Sequence, residues 1–209
     1  MGYSEIQLLG QNVNSYRDPS PAGFDFARLL DAVGRVEGIR RVRFTTSHPR
    51  EMTQRRRQAY ATLPKRGSGG HLPVQAGSDR VLAAMHRGYT AERYLDRLGE
   101  ARRLVADLAV STDIIVGFPG ETDADFEAAL DVVRQARFSA AFTFQYSIRP
   151  GTPAGTMPDQ VPREVVQERY ERLVDLVGAK RNHAANPRFI REYGRCAQHL
   201  LTRHDNAAV

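Results

Sequence analysis

The chain of 209 residues has one cysteine, Cys196, and no tryptophan. A lone thiol forms no intramolecular disulfide and cannot hold a zinc ion or an iron–sulfur centre by itself. No apolar run approaches the roughly 18 residues of a membrane-spanning helix. No secretory apolar segment follows Met1. Glycine and proline, at 17 and 11 residues, stay at ordinary levels, which excludes collagen-like and disordered readings. These absences point to a cytoplasmic protein with no membrane partner.

Apolar residues make up 41% of the chain and charged residues 26%, enough for one sizeable core. The net charge of +6 is concentrated in two places. Arg50, Arg55, Arg56, Arg57, Lys65 and Arg66 stand against Glu51 alone; Lys180, Arg181, Arg188, Arg191, Arg195 and Arg203 stand against Glu192 and Asp205. Such clusters suit a phosphate backbone, and they equally suit two solvated basic loops.

Strands and helices alternate. Glu5 to Leu9 reads as a strand closed by Gly10, and Phe26, Leu29, Leu30, Val33 and Val36 recur at helical spacing before Gly38. Arg41 to Thr46 reads as a second strand, with Val42 and Phe44 on one face. Thr53 to Leu63 is weakly helical, Arg66 to Gly70 has a linker's composition, and His71 to Gln75 suggests a short irregular strand because of Pro73. Helices are expected from Ser78-Asp79, with Val81, Leu82 and Met85 inward, and from Thr90, with Tyr94, Leu95, Leu98 and Leu104 inward. Ser111 to Phe118 is the clearest strand, and its Ile114-Ile115-Val116 run suits burial on both faces of a parallel sheet. Thr122 and Asp125 form a capping box for a helix ending near Arg137. Ala141 to Tyr146 makes the fifth strand, and Pro162 opens a last helix through Val177. The fold class is α/β, either a parallel barrel or a doubly wound sheet. A full eight-unit barrel takes about 250 residues, so a partial parallel barrel is more economical.

In both architectures ligands meet the C-terminal ends of the strands. Gln11, Asn12 and Asn14 follow the first strand, Ser47 and His48 the second, Gln75 and Ser78 the third. Asp113 lies within the fourth, Gly117 to Glu121 follow it, and Tyr146 and Arg149 follow the fifth. Amides, hydroxyls, a carboxylate and an arginine suit a ligand carrying carboxylate, amine and ribose groups. Several could instead be turn formers, but Asp113 in an apolar strand is costly to bury without a partner. A phosphorylated metabolite near Gly117 to Glu121 is one alternative occupant, and a non-catalytic RNA-binding module is another reading of the basic segments.

Five ordered blocks, Leu8 to Tyr16, Arg43 to Pro49, His71 to Ser78, Ser111 to Thr122 and Tyr146 to Thr152, resemble the radical S-adenosylmethionine methylthiotransferases. The Gly-Gln-Asn-Val-Asn-Ser-Tyr and Thr-Thr-Ser-His-Pro blocks resemble the branch acting on N6-isopentenyl adenosine in tRNA (MiaB type). The resemblance implies a radical-type partial barrel over residues 1–177, S-adenosylmethionine and [4Fe–4S] clusters as cofactors, and tRNA as partner. It implies transfer of a methylthio group to C2 of the modified adenosine beside the anticodon. Gln11, Asn12 and Asn14 would face the methionine end of the cofactor, Ser47, Gln75 and Ser78 its middle, and Asp113, Gly117, Tyr146 and Arg149 the ribose, adenine or carboxylate. No residue is assigned to catalysis.

The family's Cys-x3-Cys-x2-Cys loop is absent from these 209 residues. The expectation is therefore a barrel incomplete at its N-terminal strand, unable to assemble either cluster alone, inactive without a segment that a separate chain could supply, and marginal or oligomeric through an unpaired strand edge. Residues 178–209 read as a basic tail with no recognisable RNA-binding barrel, and Cys196 within it as a free thiol.

Overall fold

A computed structural model describes residues 2–10, 13–20, 23–45, 69–105 and 108–184, with side chains described as far as residue 178. Five parallel strands are found among them. β1 (Glu5–Leu9) pairs with β2 (Arg41–Thr45) in the register Glu5 to Arg41 through Leu9 to Thr45. In the second sheet β3 (Gly69–His71) pairs with β4 (Ala109–Val116), which pairs with β5 (Ala140–Gln145). β2 lies against β3 without a hydrogen-bonded ladder. Spatial order therefore follows chain order. A doubly wound sheet reverses its order midway, so the sequential course is that of a partial barrel.

Helix α1 (Phe26–Arg35) connects β1 to β2, capped by the Asp25 side chain, which accepts from the Arg28 amide. Phe26 and Leu30 pack on Val42, and Phe26 meets Phe44 edge-on with ring centroids 5.0 Å apart. α2 (Asp79–Ala84) and α3 (Ala91–Leu104) connect β3 to β4, and the Asp79 carboxylate joins them by accepting from the Ala91 amide at 2.7 Å. α4 (Asp123–Ala136) opens with the expected capping box of Thr122 and Asp125. α5 (Arg163–Ala184) follows β5 and runs seven residues past Val177, burying Val166 and Leu173.

Three features differ from the sequence pattern. Gly69 and Gly70 are strand residues, paired with Ala109 and Val110, because a ladder needs only backbone groups; Gln75 keeps a single bridge, to Ile114. Val36 and Leu104 are 49% and 45% exposed; they stand at the cap and the last residue of their helices, past the packed face. In β4, Ile114 and Val116 are buried beneath the helices while Ile115 turns half-buried to the opposite face, so the apolar run is not enclosed on both sides. Thr53 to Leu63, Arg66 to Ser68 and Cys196 lie outside the described residues.

Candidate active site

The turn after β4 carries most of the local design. Gly117 and Gly120 adopt left-handed conformations, φ +76° and +77°, and a Cβ on Gly117 would overlap the Val166 side chain of α5. Only glycine lets the turn and that helix approach so closely. The Gly117 amide donates to Glu121 Oε1 at 3.0 Å, and Arg169 from α5 donates to the same oxygen at 2.9 Å and to the Glu121 carbonyl at 3.2 Å. Arg169 also reaches Asp123 at 2.6 Å. Burial pushes the Glu121 carboxyl above its ordinary range, more than the Gly117 amide and Arg169 pull it down. The chain's own carboxylate thus takes the amide that a phosphate would need at this turn.

One helical turn away, Asp125 gathers donors from two segments. Ser78 Oγ donates to it at 2.5 Å, the Thr122 hydroxyl at 2.6 Å and the Thr122 amide at 2.8 Å, and Arg80 also donates to it. Burial alone would raise this carboxyl, but the donors outweigh it and hold the group well below the usual carboxylate range. Ser78 is thereby committed to tying α2 to α4.

Gln75 is held in a conformation unusual for a side-chain-bearing residue, φ +70°. Its amide donates to the Asp113 carbonyl and its carbonyl accepts from the Ile115 amide, both at 2.9 Å. Buried hydroxyls fix the backbone before it: Thr112 accepts from the Val74 amide, Tyr89 donates to the Val74 carbonyl and Tyr94 to the Leu72 carbonyl. Over-determined strain of this kind gathers where a side chain must be aimed.

The sheets also have an inner face, opposite the helices. On β1 and β2 it carries Glu5, Gln7, Arg41 and Arg43, with Glu5 bridged to Arg41 at 2.9 Å and to Arg43 at 2.7 Å. On the second sheet it carries His71, Ser111, Asp113, Phe142 and Phe144. His71 Nδ1 lies 3.0 Å from Ser111 Oγ, and its Nε2 lies 3.4 Å from Asp113 Oδ2. Closed eight-stranded barrels fill this space with branched apolar residues. Here it is polar on one side and aromatic on the other, which suits a ligand cavity.

The structure brings Gln75, Asp113, Gly117 and Tyr146 to adjacent strand ends: Tyr146 donates its amide to the Val116 carbonyl at 2.8 Å, and its ring meets Phe118 at 5.5 Å. The Tyr146 hydroxyl is buried with no hydrogen-bond partner among the described residues. Asn14 is fully buried in a 3-10 turn over α1, and the Arg149 side chain is exposed in the loop after β5. Gln11, Asn12 and Ser47 lie outside the described residues. Sequence reasoning missed His71, Ser111 and Arg169 as parts of the site. Only the β3 to β4 register, and an arginine 48 residues from its carboxylate, reveal them.

The radical SAM superfamily model matches residues 1–133. Coproporphyrinogen III oxidase (HemN) from Escherichia coli superposes with a TM-score of 0.51 at 13% identity over 74% of this chain and 44% of that one, a likeness of fold alone. The chain belongs to the radical SAM superfamily. At closer range it is similar to the tRNA-2-methylthio-N(6)-dimethylallyladenosine synthase of Salinispora arenicola, 57% identical over 176 residues, which is 84% of this chain and 35% of that protein. The enzyme of the same name from Saccharopolyspora erythraea is 54% identical over 175 residues, with 84% and 36% covered. The chain spans about 35% of the length of such relatives.

The residues present fit S-adenosylmethionine: the unpartnered Tyr146 hydroxyl, the Asp113 carboxylate and the strained Gln75 offer polar groups around a glycine turn that admits close approach. They do not fit an iron–sulfur cluster. Such clusters need thiolates, the sequence has one cysteine, and no three His, Cys, Asp or Glu side chains converge among the described residues. Among these residues no helix is long and apolar enough to cross a membrane.

Proposed function

We propose that this chain forms the S-adenosylmethionine-binding part of a cytoplasmic radical methylthiotransferase, placing a methylthio group on C2 of N6-isopentenyl adenosine beside the anticodon of tRNA. The observation that carries this reading is 57% identity to a relative of that name across 84% of the chain. S-adenosylmethionine supplies the adenosyl radical precursor and the methyl group. Gln75 and Asp113 would bind its ribose and amino groups, the Gly117 turn would admit its adenine against bare backbone, and the Tyr146 hydroxyl would donate to it. Gln11, Asn12 and Asn14 would border its methionine end, with Ser47 and Ser78 toward its middle and Arg149 at its carboxylate. Cluster thiolates come from outside these 209 residues, on this reading from a segment or a separate chain that docks against the barrel.

The test is a graft. Residues 2–177 replace the matching stretch of the Salinispora arenicola relative, and nucleosides from the tRNA of cells lacking their own methylthiotransferase are analysed by mass spectrometry. The 2-methylthio nucleoside is expected. A graft that folds and binds its clusters but leaves tRNA unmodified refutes the reading.

A further inference from the structure

Just past β3 the chain carries one residue too many for a regular ladder. His71 pairs with Ser111 and Gln75 bridges to Ile114, so four steps along this segment are set against three along β4. The extra residue makes the stretch 72–75 a bulge, a form in which a paired strand tolerates Pro73, which has no amide proton to give. Leu72, Val74 and Ala76 still enter the helix-side core, and Gln75 between them is turned to φ +70°.

A bulge orphans backbone groups, and here three side-chain hydroxyls take them up. Tyr94, fully buried on α3, donates to the Leu72 carbonyl at 2.7 Å. Tyr89, in the loop before α3, donates to the Val74 carbonyl at 3.1 Å and lies 3.3 Å from the Pro73 carbonyl. The Val74 amide donates to the Thr112 hydroxyl of β4 at 2.9 Å, and the Thr112 side chain also lies against the Tyr94 hydroxyl. Burial pushes the Tyr89 phenol up to about 12 and raises the Tyr94 phenol as well, so both keep the proton that they donate. Phenylalanine would fill the same space with no hydroxyl to desolvate. What the two tyrosines and the threonine add is the partner that each buried carbonyl, and the Val74 amide, would lack in an irregular strand. A segment pinned at each of these groups has one way to lie, and that fixes where Gln75 points.

We propose that Tyr89, Tyr94 and Thr112 are positioning residues for the cofactor: by holding the bulge they keep Gln75 in its left-handed conformation and aim its side-chain amide at S-adenosylmethionine. All three act through Gln75. This rests on the function proposed above, in which Gln75 binds S-adenosylmethionine, and adds the buried groups that set its direction.

The experiment uses the whole chain and reads backbone and ligand separately. A strong NOE between the amide and Cα protons of one residue marks positive φ and reports on Gln75 with no ligand present; ligand-observed NMR titration with S-adenosylmethionine reports affinity. The parent should show the NOE. The double variant Tyr89→Phe/Tyr94→Phe and the single variant Thr112→Val should lose it, and each should bind S-adenosylmethionine about tenfold more weakly, the loss of one good hydrogen bond to the ligand. Thr112→Ser, which keeps the accepting oxygen, should retain both the NOE and the affinity. Val133→Ala, in the same core but away from the bulge, should melt earlier and leave both as in the parent, an outcome that separates aiming from general stability. Gln75→Ala should weaken binding to the same extent as the double variant, and the two together should weaken it no further. Should the double variant not fold, Tyr89→Phe and Thr112→Val singly decide. An NOE that survives loss of the hydroxyls, parental affinity when the NOE is lost, or a further loss of affinity in the Gln75→Ala background overturns the proposal and leaves the proposed function standing. A parent that does not bind S-adenosylmethionine overturns the proposed function, and with it the ligand named here, whatever the NOE shows.

Discussion

The two sheets of this partial barrel are anchored very differently. Among the described residues, β1 and β2 rest on one helix through five buried apolar residues, Val13, Phe26, Leu30, Ile39 and Val42. The sheet of β3 to β5 is covered by four helices and shares a cluster of twenty, from Leu72 to Leu173. The inner face of the first sheet adds the Glu5 ion pairs and a hydrogen bond from Gln7 to Thr45, of which the half-exposed Glu5–Arg41 pair contributes little. The second sheet adds buried Arg169, gripping Glu121 and lying over the Phe126 ring. Among the described residues the larger share of buried apolar surface therefore belongs to the half that holds Gln75, Asp113, Gly117 and Tyr146, and the first sheet lies against that half through β2 and β3.

Core truncation should break this contrast most visibly. Phe126→Ala, in the large cluster beneath Arg169 and Arg172, is expected to cost about 3–5 kcal/mol in urea denaturation and to raise amide exchange in both sheets. Leu30→Ala should instead accelerate exchange in β1 and β2 and leave β4 protected; equal acceleration in β4 would mean the two sheets form one cooperative unit. Next in size, Gly117→Ala combines a disfavoured backbone with overlap on Val166 and should cost about 2–4 kcal/mol. Gly23→Ala, also at positive φ but in open space, should cost about 1 kcal/mol or less and only in the first sheet.

Acid sharpens the comparison further. The Asp125 carboxyl is held below its unfolded value of 3.8, so the stability it contributes is complete above that pH and declines as pH falls through the lower folded value. Melting of the second sheet should fall with pH below about 4, and Asp125→Asn should flatten that slope; an unchanged slope would remove Asp125 as its source. The smallest effect is expected from Thr122→Ala, which loses half of the capping box at a cost of about 1 kcal/mol, read by chemical denaturation.

Much of this was legible in the chain. Five strands, their alternation with helices and the Thr122 to Asp125 box follow from local pattern, because burial under a helix selects alternate apolar residues and an N-terminus selects an oxygen side chain. The bounds of β3 were not legible. Gly69 and Gly70 carry a linker's composition, and only the waiting edge of β4 makes them a strand. Nor was the orientation of Phe142 and Phe144, since alternation fixes that two residues share a face but not which face is the core. Asp113 stood out as a carboxylate in an apolar strand, yet its partner His71 lies 42 positions away and is brought beside it by register alone.

By itself the sequence determined the order of parallel strands, the glycine turn after β4 and the polar strand ends, because hydrophobic period, capping chemistry and backbone conformation act over a few neighbouring residues. The tertiary structure alone decided that Arg169 closes on Glu121, that His71 lies beside Asp113 and that β5 turns its aromatic side inward. Those contacts join residues far apart in the chain, and their geometry exists only once the sheets have paired and the helices have settled on one face.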